Sequence, residues 1–122
     1  MTQTRSFQSM DYKVRFTEQA RQDLDGIFIY YSTEFSENIA KKVITRLQQT
    51  SNLLMFSPEG GINFDHKIGY SLYPGNTLRM IVSKQYLLFY LIHEKEVYIL
   101  RIINSRTDYL NQLDHLFQHI QD

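Results

Sequence analysis

The spacing of apolar residues in the first half of the chain predicts one strand followed by two helices. In the segment 11–16, DYKVRF, apolar and basic side chains alternate, as in a strand with one buried face. Two runs of apolar residues at spacings of three and four then indicate amphipathic helices: Ala20, Leu24, Ile27, Phe28, Tyr31 and Phe35, and then Ile39, Ala40, Val43, Ile44, Leu47 and Leu54. Thr17 and Ser36 precede these runs and are suited to cap the two helices, which we expect to form a hairpin.

The second half of the chain predicts three strands and a last helix. The β-branched and aromatic runs 77–83, 86–92 and 97–103 are separated by short polar turns, as in an antiparallel meander. The middle run is apolar at every position, which indicates a central strand covered on both faces. A short amphipathic helix follows, with Ser105 or Thr107 as its cap and Asp108 near its positive end. The predicted fold is α+β, in the order β-α-α-β-β-β-α, with an N-terminal helical hairpin packed on a small, curved, mostly antiparallel sheet.

Length and composition limit the classes of protein. The 122 residues fit one domain, which we expect to span residues 10–122, and the polar residues 1–9 are expected to be a disordered or alternative-start extension. Thirteen basic and thirteen acidic residues cancel, which argues against tight, non-specific binding of nucleic acid. The absence of cysteine excludes thiolate metal sites and fits the cytoplasm, and no stretch reaches the roughly 18 apolar residues of a membrane span.

Two stretches resemble a known family. They are YKVRFTEQARQDLDGIFIYY at 12–31 and YLLFYLIHEKEVYILRIINSRTDYLNQL at 86–113. Together, in this order and separation, they resemble the RelE/ParE superfamily of bacterial toxins from type II toxin–antitoxin modules. The resemblance implies a toxin that needs no cofactor and is neutralised by a cognate antitoxin encoded by an adjacent gene.

Members of this superfamily differ in target. RelE-like and YoeB-like members cut mRNA on the ribosome, and ParE-like members are associated with DNA gyrase. The nuclease branch often carries Tyr-Arg-x-x-Tyr in its central strand and is usually basic. This chain has leucine at the arginine position, Leu87, and is neutral. The resemblance therefore favours the ParE-like side, with a metal-independent, ribosome-dependent endoribonuclease as the alternative and a non-toxic, antitoxin-binding remnant as a third possibility.

The candidate catalytic side chains lie on the predicted sheet and its exit. RNA cleavage needs proton transfer and stabilisation of the phosphate, for which the planar guanidinium of arginine is well suited. The candidates are Arg79, which we expect to lie beside Arg101, together with Arg106, Tyr109 and His93. They do not make a complete catalytic set, and the histidine spacing indicates no metal site.

Each of these residues also has a structural interpretation. Arg101 is able to pair with Asp23 or Asp25 of the first helix, Tyr109 to pack, and His93 to be solvated in a charged turn. The functional hypothesis is that Arg101, Arg106 and Tyr109 stand free and form the surface that meets the target.

A second predicted surface would receive the antitoxin. A partner segment that folds on binding lies along exposed apolar residues. The candidates are Ile29, Tyr30, Phe35, Leu110, Phe117 and Ile120. The alternative is that these side chains complete the core.

Overall fold

The computed structural model describes residues 12–118 and residue 120, so the predicted extension at residues 1–9 lies outside the described residues. The elements follow in this order: β1 (Lys13–Phe16), α1 (Glu18–Glu34), α2 (Glu37–Asn52), a 3-10 turn (Leu53–Met55), β2 (Ile62–Asn63), α3 (Phe64–Ile68), β3 (Arg79–Ser83), β4 (Tyr86–His93), β5 (Glu96–Asn104), a second 3-10 turn (Tyr109–Gln112) and α4 (Leu113–Phe117). The sheet order is β1-β5-β4-β3-β2, with only the β1–β5 pair parallel among these strands. The predicted α+β fold and element order are confirmed.

Both predicted helix caps of the hairpin are present. The Thr17 hydroxyl accepts a hydrogen bond from the Ala20 N–H, and the Ser36 hydroxyl accepts one from the Ile39 N–H. Such caps satisfy backbone donors that the first helical turn leaves free. The Thr17 hydroxyl also donates to the Leu100 carbonyl at 2.9 Å, which fixes the start of α1 against β5.

Strand β4 separates two hydrophobic clusters, as its continuous apolar run predicts. Tyr86, Leu88 and Tyr90 face the α1–α2 hairpin, whereas Leu87 and Phe89 face the opposite side of the sheet. That opposite side is covered by α3, α4 and the loop that precedes β3. All five side chains are buried. The sheet is therefore the middle layer of three.

The structure corrects three details of the predicted elements. The short pair β2 and α3 was not predicted from the sequence. The last helix is interrupted, since a 3-10 turn precedes the five residues of α4. Neither Ser105 nor Thr107 caps α4, because the Thr107 hydroxyl donates to the Asn104 carbonyl and the residue that precedes α4 makes no side-chain cap.

A β-bulge interrupts the pairing of β4 with β5. Phe89 pairs with Arg101, but the next residue, Tyr90, pairs with Ile99, so that Leu100 is the extra residue. A bulge bends the strand and changes which side each later residue faces. The bulge therefore sets the direction of the Arg101 side chain.

Strand β1 covers only the first part of β5. Its four residues pair with Glu96–Ile99, and the chain then turns into α1. Beyond Ile99, no described strand lies beside β5 on this side, and α1 is its neighbour instead.

None of the helices in the described part of the chain has the length and apolar character needed to cross a bilayer.

Candidate functional site

Arg101 is held inside the fold. Its Nε and Nη2 donate to the two carboxylate oxygens of Asp23, each at 2.9 Å, and its Nη1 donates to the Leu116 carbonyl at 2.9 Å. The side chains of Arg101 and Asp23 are only 20% and 15% exposed. The expectation that Arg101 stands free is wrong, and the alternative pairing with Asp23 is correct.

The carboxylate of Asp23 has a second task at the edge of the sheet. Its Oδ2 also accepts a hydrogen bond from the Ile102 N–H at 2.9 Å, at a point where β5 has no neighbouring strand among the described residues. A buried backbone donor needs a partner, and here a side chain replaces a strand. Asp23 therefore joins α1 to both the backbone and the side chain of β5.

Tyr109 packs rather than standing free. Its ring lies 6.1 Å from the ring of Phe89, between centroids, and it is half-buried against the cluster beneath α4. Tyr73 is a neighbour of this region that the sequence did not single out. Its hydroxyl donates to the Phe117 carbonyl at 2.6 Å, and burial raises the pKa of Tyr73 to about 12 although the charge of Arg101 acts in the opposite direction.

Arg79 lies on the other face of the sheet from Arg101. Arg79 pairs with Tyr90, which faces the hairpin, whereas Arg101 pairs with Phe89, which faces α4. The prediction that Arg79 lies beside Arg101 is therefore wrong. The Nη1 of Arg79 donates to the Gly61 carbonyl at 3.2 Å, and so this arginine also serves the fold.

The close approach at Gly61 explains why this position lacks a side chain. A Cβ there would lie 2.6 Å from the Met80 carbonyl oxygen and 2.7 Å from the Tyr90 hydroxyl. The Gly61 N–H donates to that hydroxyl at 2.9 Å, and burial raises the pKa of Tyr90.

His93 is exposed at the end of β4, with its Nε2 3.9 Å from a carboxylate oxygen of Glu94. This position agrees with the alternative of a solvated turn residue. No group of three possible metal-ligating His, Asp or Glu side chains occurs within residues 12–118 and 120.

Arg106 is the exposed cation of the predicted target surface. It lies in the turn after β5, where its backbone N–H donates to the Asn104 side-chain oxygen at 2.9 Å. Among the described residues its guanidinium has no hydrogen bond or ion pair. Arg106 thus differs from Arg101, whose charge is paired with the Asp23 carboxylate inside the fold.

A groove of about 390 Å³ runs between α1 and the uncovered end of β5. Ile27, Tyr30 and Tyr31 form the α1 side, and Asn104 and Arg106 lie at the β5 side. The Tyr31 hydroxyl accepts a hydrogen bond from the Gln85 side-chain amide at 2.7 Å, which links two residues that line the groove. Arg106 and the aromatic residues of α1, which the sequence assigned to two surfaces, therefore line one groove.

The predicted antitoxin contacts divide into exposed and buried residues. Ile29, Tyr30, Phe35 and Leu110 are each more than half exposed. Phe117 is 5% exposed and packs with its ring 5.1 Å from that of Phe89, so its assignment to a partner surface is wrong. Ile120 is half-buried against the same cluster.

Three aromatic side chains in the last turn and at the C-cap of α1 form a compact group. The ring centroids of Tyr30, Tyr31 and Phe35 are 5.0 to 6.4 Å apart. Such edge-to-face and stacked arrangements hold the rings in fixed positions. This aromatic group borders the groove at Tyr30 and Tyr31.

Sequence reasoning did not single out Gln85, Asn104 or Gly26, which line the groove. Gln85 and Asn104 are brought together by the strand pairing that places Tyr86 opposite Asn104. Gly26 was not considered, although a glycine inside a helix costs stability relative to alanine. A Cβ at Gly26 would meet no atom within 4 Å, and the residue lines the groove.

Comparisons with known proteins agree with the resemblance seen in the sequence. The family model described as the ParE toxin of type II toxin–antitoxin system, parDE, matches residues 14–109. Among solved structures, the chromosomal ParDE TA system from P. aeruginosa is similar, with a TM-score of 0.64 and 21% identity. That match covers 80% of this chain and 99% of the other, and at this identity it shows the fold alone. A search of curated protein sequences gave no match. Since the family model spans most of the chain, this protein belongs to the ParE toxins of type II toxin–antitoxin systems.

Proposed function

We propose that this ParE-family toxin arrests growth in the cytoplasm by binding DNA gyrase and that an antitoxin encoded beside it holds it inactive. Membership of the family supports the general statement of a type II toxin. The target and the manner of neutralisation are the parts that we propose.

One observation carries the choice of a binding protein over a nuclease. Arg101, the arginine of the last strand, is paired with the Asp23 carboxylate and bonded to the Leu116 carbonyl, so that three of its five N–H groups are committed inside the fold. Leu87, at the position where the nuclease branch often has arginine, is buried opposite Ile103. A ribonuclease on this sheet would need a cationic group aimed at the scissile phosphate. Among the described residues, Arg15, Arg79 and Arg101 of the sheet each have an internal partner, whereas the guanidinium of Arg106 at the exit of the sheet has none.

We assign the contact with the target to Arg106. Its exposure and the lack of an internal partner among described residues favour a role outside the fold. Arg101 and Tyr109 are then positioning residues, because they fix β5 and the 3-10 turn on either side of it.

We assign the binding of the antitoxin to the exposed side chains of α1. Ile29 and Tyr30 on α1, with Phe35 at its C-cap, place three large apolar side chains in solvent. Exposed apolar groups on one element are typical of a surface that a partner covers. Leu110 is exposed on the 3-10 turn and is a separate, secondary candidate.

Two assays run together test the target. Purified protein is added to a gyrase supercoiling reaction, and mRNA from cells after brief induction is examined by primer extension. We expect loss of supercoiling without mRNA cuts. Cuts in phase with codons, together with normal supercoiling, would establish the ribosome-dependent nuclease instead. No effect in either assay and unaffected growth would identify a remnant that only binds its partner.

Neutralisation is tested by co-expression. The product of the adjacent open reading frame should restore growth and co-purify with the toxin. Phe35→Ala should weaken this complex at unchanged stability of the free toxin, whereas Lys42→Ala, an exposed residue of α2, is the matched control that should not.

A further inference from the structure

The β5 side of the groove carries hydrogen-bond donors in excess. The guanidinium of Arg106 lies there without an internal partner among the described residues. The side-chain oxygen of Asn104 accepts from the Arg106 N–H, but its amide N–H groups have no acceptor in the described part of the chain. Gln85 donates one amide N–H to the Tyr31 hydroxyl and has a second one left. Three side chains therefore present unused donors to the same groove.

Acceptors are few in this groove, so a ligand has to supply them. Asp23 is the single acid among the described residues that line it. The Asp23 carboxylate already accepts from the Arg101 guanidinium and from the Ile102 N–H, which compensates its charge. The charge of Arg106 has no such compensation among the described residues. A phosphate group matches this set better than a carboxylate, because it offers more acceptor oxygens to guanidinium and amide donors.

The α1 side of the groove adds an aromatic face. Tyr30 lines the groove and is 54% exposed, and its ring lies 5.0 Å from that of Tyr31 and 6.4 Å from that of Phe35, between centroids. An exposed ring in a fixed position is a platform on which a nucleobase stacks. Gly26 lies one helical turn earlier on the same face of α1, and a Cβ there would meet no atom within 4 Å. The space beside the Tyr30 ring is therefore open.

We infer that this groove binds a nucleoside phosphate, as one unpaired nucleotide of a nucleic-acid strand, with its phosphate on Arg106 and Asn104 and its base on Tyr30. The volume of about 390 Å³ falls within the range of small-molecule sites. The nucleotide is unpaired because a base inside a duplex has both faces covered by its neighbours in the stack. Arg106 also belongs to the proposed target surface, but the ligand chemistry rests on the groove alone.

The first experiment measures binding of defined strands to the full chain. A fluorescein-labelled oligothymidylate is titrated with the protein and followed by fluorescence anisotropy, with the corresponding duplex as the control. We expect the duplex to bind at least about tenfold more weakly, since its bases cannot stack on a protein ring. Unlabelled strand should displace the probe at lower concentration than thymidine monophosphate, and inorganic phosphate should act last.

Three results of this titration would overturn the inference. Equal binding of strand and duplex would show that no base enters the groove. Displacement by inorganic phosphate as readily as by thymidine monophosphate would leave only an anion site, and tighter binding of the free nucleotide would remove the strand as its source. Equal affinity for acetyl-Glu-Glu-Glu-Glu-amide would point to an acidic peptide instead.

The salt dependence of strand binding counts the phosphates that the site neutralises. Thirteen basic and thirteen acidic residues cancel, so we expect one local contact and not a charged surface. A plot of log K against log salt concentration should have a slope of about −0.7, the value for one phosphate of a single strand. Arg106→Ala should weaken binding about tenfold and bring this slope close to zero. Lys42→Ala, which removes an exposed charge from α2, should change neither, and an unchanged slope in Arg106→Ala would refute the phosphate contact.

Two substitutions test the base platform and the amide donor. Tyr30→Ala should weaken strand binding about tenfold, whereas Tyr30→Phe keeps the ring and should retain it. Ile29→Ala, at an exposed residue of α1 that does not line the groove, is the matched control. Asn104→Asp keeps an acceptor for the Arg106 N–H but replaces the amide donor by a negative charge, so it should abolish binding. Full affinity in Tyr30→Ala and in Asn104→Asp would refute the site.

A last pair of variants fixes the location without loss of stability. Gly26→Gln should fill the groove and abolish strand binding while raising the melting temperature, because glutamine favours a helix more than glycine does. Gly26→Ala gains stability in the same way but adds only one methyl group, and it should still bind. Strand binding that survives in Gly26→Gln would contradict the location. Gyrase enters none of these measurements, so intact strand binding with unaffected supercoiling would refute the proposed target alone, and inhibited supercoiling without strand binding would refute this site alone.

Discussion

The guanidinium of Arg101 donates two parallel hydrogen bonds, each 2.9 Å long, to the carboxylate of Asp23, across 78 positions of sequence. The third donor of Arg101 reaches the Leu116 carbonyl near the end of α4. One arginine therefore connects the first helix, the last strand and the last helix. This pair explains why an arginine at the exit of the sheet is a residue of the fold and not of a phosphate site.

Removal of Asp23 should destabilise the protein strongly. Asp23→Ala leaves the largely buried Arg101 guanidinium without its counter-charge and the Ile102 N–H without an acceptor. We expect a loss of about 3 kcal/mol in the free energy of unfolding, measured by urea titration. Asp25→Ala changes an exposed carboxylate on the same helix and should alter stability by less than about 0.5 kcal/mol. Equal effects of the two substitutions would contradict this account.

The hydroxyl of Tyr73 should stabilise the protein at neutral pH but not in alkali. Tyr73→Phe removes the hydrogen bond to the Phe117 carbonyl, at a cost of about 1 kcal/mol. Because burial raises the pKa of Tyr73 from 10.0 to about 12, its contribution is complete below pH 10 and is lost as the pH rises towards 12. Urea unfolding at pH 8 and pH 11.5 should therefore show a smaller difference between variant and parent at the higher pH. A difference that stays constant would show that the phenol is not desolvated.

The opposite pH dependence is expected at Glu96. Hydrogen bonds from Tyr98 and then Arg15 hold the pKa of Glu96 below its ordinary value of 4.5. A lowered carboxyl pKa stabilises the folded state above pH 4.5, and this contribution disappears as the pH falls through the folded pKa. Glu96→Gln should accordingly lower the melting temperature at pH 7 and have little effect near pH 2. Thermal unfolding followed by circular dichroism at both pH values provides the measurement, and Glu94→Gln, in the exposed turn, is the control.

Two phenylalanines predicted for the same partner surface should behave differently. Phe117→Ala empties a buried site packed against Phe89 and should cost about 3–5 kcal/mol of stability. Phe35, 63% exposed at the end of α1, should tolerate the same change with less than about 1 kcal/mol lost. Urea unfolding of the two variants under the same conditions measures the free energy of unfolding that each has lost. A strongly destabilised Phe35→Ala would place that ring in the core.

Arg106 should be required for toxicity and dispensable for folding. Arg106→Ala removes an exposed guanidinium with no described internal partner, so the melting temperature should be unchanged. Induced expression of this variant should no longer arrest growth. Lys84→Ala, at the neighbouring exposed turn, serves as a control for loss of one surface charge. Persistent arrest by folded Arg106→Ala would remove Arg106 from the target surface.

Local patterns were sufficient to predict most of the fold. The Thr17 and Ser36 caps depend only on residues within one helical turn. The side chains of β4 are buried on both faces of the sheet, and a continuous apolar run is the pattern expected for such a strand. The pair β2 and α3 was missed because a two-residue strand carries no measurable alternation. The last helix was overestimated in length, since its apolar spacing does not distinguish a 3-10 turn from an α-helical turn.

The site was harder to predict, because it depends on contacts between distant segments. The sequence offered Asp23 as one possible partner of Arg101, but only the packing of α1 against β5 selects it over Asp25. The faces of Arg79 and Arg101 depend on the register of three strands, and one bulge changes that register. The exposure of Arg106 was predicted correctly because a turn residue beside a polar strand end has little to pack against.

The extra residue at Leu100 has a consequence for comparing relatives of this toxin. A homologue without it would align correctly beyond Ile99 only if a one-position gap were placed there. Without that gap, an arginine of the homologue that points towards solvent would be matched to the inward-facing Arg101, and a role in poisoning the target would be transferred to a residue that serves the fold. Functional assignments in this family should therefore be made after superposition of the last strand. Residues of this chain after Leu100 then correspond to residues one position earlier in a homologue that lacks the bulge.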